Sequence, residues 1–239
     1  LTAQGGGVYV GSRSKFELYG GEISGNSAAS AANGSGVYVS RSGRFDMYGG
    51  RITRNKSGNS GGGAGGGVYV ATDGMFNMTG GEITGNTELI RYGGGVFVNG
   101  GTFNMGGSAE ITNNKVATEG SNQEGLSGAG VYVTNRGEFN MGDSAKITGN
   151  EVTGTKNSRG GGVYVNTGTF KVYGTPTITD NKNGTNANNV ELPNAVSIQI
   201  DGLTGGRIGV TKALSNSSSV QFATNAQDGD EQFFTSDVG

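Results

Sequence analysis

The chain has 239 residues, a net charge of −2, 50 glycines and only 2 prolines. It contains neither Cys nor His, which excludes disulfides, thiolate metal sites and Ser-His or Cys-His catalysis. Scattered basic residues argue against nucleic acid as a partner, no apolar run approaches the roughly 18 residues of a membrane span, and a hydrophobic content of 32% suits an elongated array better than a globule.

Along the chain, one block recurs six times, as in "GGGVYVNTGTFKVYGTPTITDN" (160–181), and such a period is the signature of a stacked array. Each unit opens on glycines and a Val-aromatic-Val triplet that begins at Val8, Val37, Val68, Val96, Val131 and Val163, at intervals of 29, 31, 28, 35 and 32 residues. Seven or eight residues later come Phe16, Phe45, Phe76, Phe103, Phe139 and Phe170, followed two residues on by Leu18, Met47, Met78, Met105, Met141 and Val172. Ile23, Ile52, Ile83, Ile111, Ile147 and Ile178 complete the apolar set, each three residues before Asn26, Asn55, Asn86, Asn114, Asn150 or Asn181.

Each apolar segment alternates with period two, the mark of a strand, and glycine clusters separate the segments. Three short strands per unit predict one coil of a single-stranded, right-handed parallel β-helix. Its Val, Phe, Met and Ile point inward as ladders of like residues. Handedness rests on the rule for parallel crossovers and on the family resemblance given below. About seven coils at ~4.8 Å each give a solenoid roughly 34 Å long with negligible helix. The Asn column is predicted to be structural, its carboxamides bonding up and down the stack. Residues 1–189 read as six repeat coils and 190–239 as degenerate C-terminal coils of the same domain. There Val190 and Leu192 replace the triplet, Ile198 and Ile200 take the Phe and Met offsets, and Ile208 takes the Ile position. Val220–Phe222 is expected to open an eighth coil. The opening "LTAQGGG" shows no signal peptide, so the chain reads as a mature protein or a piece of a longer one.

The array GGGVYV…F-x-M-x-GG-x-I-x-GN resembles the right-handed parallel β-helix repeat proteins of the pectate-lyase-like superfamily. It is similar, more closely, to glycine-rich arrays in large surface proteins of gut anaerobes, and the "LTGGRIGVT…FTSD" tail resembles the segment C-terminal to those arrays. The resemblance covers essentially the whole chain and implies the fold. It leaves activity open, since that superfamily holds lyases, glycosidases, adhesins and passive stalks.

Outward positions are where chemistry would sit. Glu17 and Asp46 are expected to be neighbours on adjacent coils, a separation at which two carboxylates share work. Their column continues through Asn77, Asn104, Asn140 and Lys171, which a solvated face explains equally well. A second column, Glu22, Arg51, Glu82, Glu110, Lys146 and Thr177, reads as a ladder of charge pairs. No calcium loop of the RTX or EF-hand type occurs. No catalytic residue, metal ligand or cofactor is therefore assigned.

The outward aromatics Tyr9, Tyr38, Tyr69, Phe97, Tyr132 and Tyr164 form the candidate binding face. They are expected to make an exposed ladder that suits glycan or protein contact, walled by the long excursion from Lys115 to Gly130. Its middle (Tyr69, Phe97, Tyr132) is expected to dominate, with Tyr9 mattering less. The functional expectation is a non-enzymatic, extracellular or cell-surface adhesin or stalk, part of a larger surface protein, with a glycan or a surface protein as partner. The alternative is a polysaccharide lyase or glycoside hydrolase working in the same groove.

Overall fold

The computed structural model describes residues 4–27, 32–57, 63–89, 91–117, 125–154, 157–193, 196–212 and 222–237. The triplet strands Val8–Val10, Val37–Val39, Val68–Val70, Val96–Asn99, Val131–Thr134 and Val163–Val165 pair in parallel, valine on valine and aromatic on aromatic. A second column stacks the Phe strands, from Lys15–Leu18 to Gly168–Gly174, with Phe on Phe at every level. The third stacks the Ile strands, from Glu22–Ser24 to Thr177–Thr179. The protein is thus an all-β parallel solenoid of about six full turns, without α-helix among the described residues.

Alternation decides which side chains fill the tube. Inward Val68, Val70, Phe76, Met78 and Ile83 are fully buried, as are their counterparts in the neighbouring coils. Each such side chain contributes about 1.5–3 kcal/mol on burial. The six Phe rings stack at centroid separations of 4.8–5.4 Å, because strand pairing fixes the rise per coil at ~4.8 Å.

Glycine makes the coil this narrow. At Gly93 the backbone is left-handed, with φ 71°, and a Cβ there would lie 2.7 Å from the Phe97 Cβ. At Gly95 a Cβ would meet the Gly130 carbonyl at 2.6 Å and the Asn114 carboxamide at 3.1 Å. One glycine is required for its conformation and the other for close approach.

The structure adds a fourth column of short strands after the ladder Asn. Thr87–Glu88, Lys115–Ala117, Glu151–Thr153 and Lys182–Asn183 pair in parallel, and Asn186–Ala187 folds back antiparallel on the last. Val116 and Val152 from this column form a small buried cluster with Leu126 and Ala129.

At the C-terminal end Val190 continues the triplet column, Ile198 and Ile200 the Phe column, and Ile208 the Ile column. The strand Arg207–Lys212 spans two columns: Ile208 pairs with Ile178 while Val210 pairs with Val190. It thereby joins the Val and Ile columns into one 15-stranded sheet. The start of the expected eighth coil, Val220, lies outside the described residues; Ala223–Thr224, just after it, pair with Ile198–Gln199 in the Phe column. Phe234–Ser236 then pairs with Ile208–Val210. No helix among the described residues is long and apolar enough to cross a membrane.

Candidate functional site: the aromatic ladder and the polar columns

The outward aromatics do stand in register from Tyr9 to Tyr164, and the column passes to Glu191 at the next level. Ring centroids lie 5.1–5.5 Å apart along the column. The expectation of an exposed patch is corrected. Tyr69, Phe97, Tyr132 and Tyr164 are buried, Tyr38 is half-buried, and only Tyr9, at 57%, is well exposed. Two physical causes act together. Every inner ring has both faces covered by its neighbours, and Ala64, Ala71 and Tyr92 pack against the column from outside. The Tyr92 ring stacks 4.5 Å from Tyr132 and 6.2 Å from Phe97. Desolvation, aided by Tyr92 and Tyr164, pushes the Tyr132 phenol far above its usual pKa.

The excursion expected to wall the ladder falls partly outside the described residues, at 118–124. Its described ends serve the fourth column instead, through Val116 and Leu126. The mid-ladder is therefore a second, satellite core. Tyr132→Ala is expected to lower stability by about 3 kcal/mol, within the range for buried aromatic truncation, and Tyr9→Ala by much less. Thermal or urea midpoints of the two variants check this, and equal midpoints would return the ladder to the surface.

A polar column runs beside the core. The Asn55 Nδ2 donates to the Asn86 Oδ1 at 2.9 Å and to the Ile23 carbonyl at 3.0 Å. The same oxygen of Asn86 accepts the Asn55 backbone N–H at 3.0 Å. This pattern carries the chain of bonds from Asn26 through Asn55, Asn86, Asn114 and Asn150 to Asn181. From Asn55 onward these side chains are completely buried. All carboxamides point the same way, donor end toward the C terminus. Two further members complete the column. Asn181 donates to the Asn189 Oδ1 at 3.0 Å, and Asn189 donates from its N–H and its Nδ2 to the Asp237 carboxylate, both at 2.7 Å. Asn189 was not legible as a member, since it follows Asn181 by 8 residues, not by one unit. Asp237 had a signal, because Phe234 and Asp237 keep the Ile-to-Asn spacing.

On the outer face of the Phe column a second chain of carboxamides points the opposite way. Asn140 donates to Asn104 at 2.8 Å, Asn104 to Asn77 at 2.7 Å, and Asn77 to the Asp46 Oδ1 at 2.6 Å. Both donor ends thus meet a carboxylate, the charge that a row of aligned amide dipoles favours.

This arrangement decides the acid pair. Glu17 and Asp46 are register partners, as expected from their spacing. Asp46 is buried and held by Arg44 at 2.8 Å and Lys15 at 3.3 Å, while Lys15 also binds Glu17 at 2.7 Å. Burial raises the Asp46 pKa, but hydrogen bonds from Arg44, Asn77 and Lys15 outweigh it and leave the carboxyl below its usual range. Both carboxylates are engaged as ions, so neither is free to serve as a general acid near neutral pH. A depressed folded-state pKa stabilises the fold above the unfolded value and loses that contribution as pH falls through the folded one. Asp46→Asn is therefore expected to be less stable than the native chain at pH 7, with the gap closing below about pH 4. Denaturation midpoints across pH 2–7 measure this, and a gap independent of pH would refute it.

Other outward charges pair across coils, among them Arg51 with Glu82 at 2.9 Å, Lys146 with Glu110 at 3.3 Å and Arg54 with Glu22 at 3.0 Å. Among the described residues no group of three or more acidic side chains is gathered to hold a metal ion. No protein-family model, curated protein or solved structure matches the chain.

Proposed function

We propose that the chain is a non-enzymatic β-helix spacer of an extracellular or cell-surface protein, comparable to the glycine-rich arrays of gut-anaerobe surface proteins that its repeat resembles. The observation that carries this reading is the unbroken register of all columns across six units, outward as well as inward. A catalytic groove on such a scaffold needs carboxylates freed from their neighbours and a local break in the repeat. Here Glu17, Asp46, Glu82 and Glu110 are bound into ion pairs. The outward aromatics serve as a stiffening spine on this reading. Stacked hydrogen bonds and ladders of identical side chains resist bending, which is what a spacer requires.

The test is an assay of the purified chain against pectic and host glycans, paired with a glycan array. A spacer releases no new reducing ends and retains no glycan. Cleavage products would support the lyase or hydrolase reading, and saturable retention lost in Tyr38→Ala would support adhesion through the ladder.

A further inference from the structure

The outer face of the Phe sheet carries charge in a pattern that its ion pairs within the chain do not use up. Coils are counted here from the one that holds Phe16 to the one that holds Phe170, the first to the sixth. One outward column holds Lys15 and Arg44 in the first two coils and Glu138 in the fifth. The column beside it holds Glu17 and Asp46 in the first two coils and Lys171 in the sixth. Every other position in these two columns is neutral across the six coils, so the columns carry opposite charge gradients along the solenoid. Glu138 is exposed and makes no ion pair among the described residues. Arg44 and Lys171 have partners in Asp46 and Asp201, yet their side chains stay 51% and 40% exposed. Several donors on each leave room for a second acceptor.

A third column on the same face varies in height. It carries the exposed rings of Tyr19 and Tyr48 in the first two coils, then Thr79, Gly106 and Gly142. Tyr173 follows in the sixth coil, and its ring lies over Gly142, where an added Cβ would overlap it.

We propose that this face pairs with the same face of a second copy of the chain, with the two solenoids antiparallel. The twofold axis runs along the strands, between the third and fourth coils. Each column then meets itself in reverse, so that the first coil faces the sixth, the second the fifth and the third the fourth. Arg44 stands opposite Glu138, Glu17 stands opposite Lys171, and the symmetry makes each pair twice. The same reversal sets Tyr48 against the level of Gly142, on the flat of the Tyr173 ring, and Thr79 against Gly106. Tall side chains thus meet short ones in the register that the charges select. This self-complementarity is the argument for a second copy as the occupant. A parallel pair, about an axis along the solenoid, does less. It sets Arg44 against Asp46, whose side chain is only 2% exposed and already held, and leaves Glu138 facing an asparagine. Every residue in the contact points sideways from the tube, so neither end of the array takes part. Six levels at ~4.8 Å and strands of four residues make a small, polar contact, in the class of weak and transient interfaces. Its affinity therefore falls with added salt. The inference is independent of whether the array acts as a spacer or binds glycan.

Sedimentation equilibrium of the purified chain at low salt is the experiment. A reversible monomer–dimer equilibrium that weakens as salt is added is the expected result. Glu138→Lys sets like charges opposite Arg44 twice and should weaken the dimer roughly tenfold, with an unchanged thermal midpoint. Lys171→Glu and Glu17→Lys should each weaken self-association similarly, and these exposed positions cost the fold little. An equimolar mixture of those two variants should regain the native dimer affinity, because each chain then meets the other with opposite charge at both pairs. Restoration by mixing requires the first coil to face the sixth, which a parallel pair does not provide. A chain that stays monomeric at every concentration, a dimer indifferent to Glu138→Lys, or a mixture no stronger than its separate variants would overturn the proposal.

Discussion

Phe76→Ala is expected to destabilise the solenoid by about 3–5 kcal/mol, the range for truncating a buried Phe. Its ring is fully buried and stacked between Phe45 and Phe103, with both centroids 4.8 Å away. Such a column cannot close over a missing ring. The neighbouring rings are held apart by paired strands on either side, so the volume vacated remains a cavity. Phe16→Ala provides the internal comparison. That ring is only partly buried and has a stacking partner on one side alone, so its removal should cost clearly less. Urea titrations of both variants measure the difference. Because a repeat array can lose end coils before the centre, coincidence of fluorescence and circular dichroism transitions should be checked first. A near-neutral Phe76→Ala would mean that the Phe column does not face the core.

Asn86→Leu should be of similar severity although the two side chains are alike in size. The Asn86 Oδ1 accepts both the backbone N–H and the Nδ2 of Asn55. Leucine leaves the Asn55 backbone N–H and one of the two Nδ2 hydrogens without a partner in a completely buried position. At about 1–3 kcal/mol for each orphaned group, the loss is about 2–6 kcal/mol. The Ile52 carbonyl and the Asn114 Oδ1 each lose one donor as well. A buried apolar side chain cannot compensate, since what is lost is the pairing of its neighbours. The equivalent change at the column's open end, Asn26→Leu, orphans no donor, because nothing donates to the Asn26 Oδ1 among the described residues. A midpoint for Asn86→Leu within error of Asn26→Leu would show that the column is not a connected chain of bonds. Hydrogen exchange at the Asn55 amide supplies an independent reading, with faster exchange expected in the Asn86 variant.

Strands, register and core were legible in the sequence because each rests on a local rule repeated six times. Period two within a triplet decides which side chain faces in, and the ~30-residue period decides which like residue lies above it. Val68, Phe76, Ile83 and Asn86 thus stand one coil below Val96, Phe103, Ile111 and Asn114, as their spacing required. Facing out of the sheet is also a local property, and Tyr132 does face out. Being exposed is not. It depends on Tyr92, 40 positions earlier in the chain, and on the stacking of rings one coil away. The ends of the amide columns have the same origin. Asp46, Asp237 and Glu191 are ordinary acids in the sequence, and only the direction in which each column of amides points makes them its terminators. That direction is shared by a whole column. It is settled by contacts between coils, so the tertiary structure alone decided which acid closes which column.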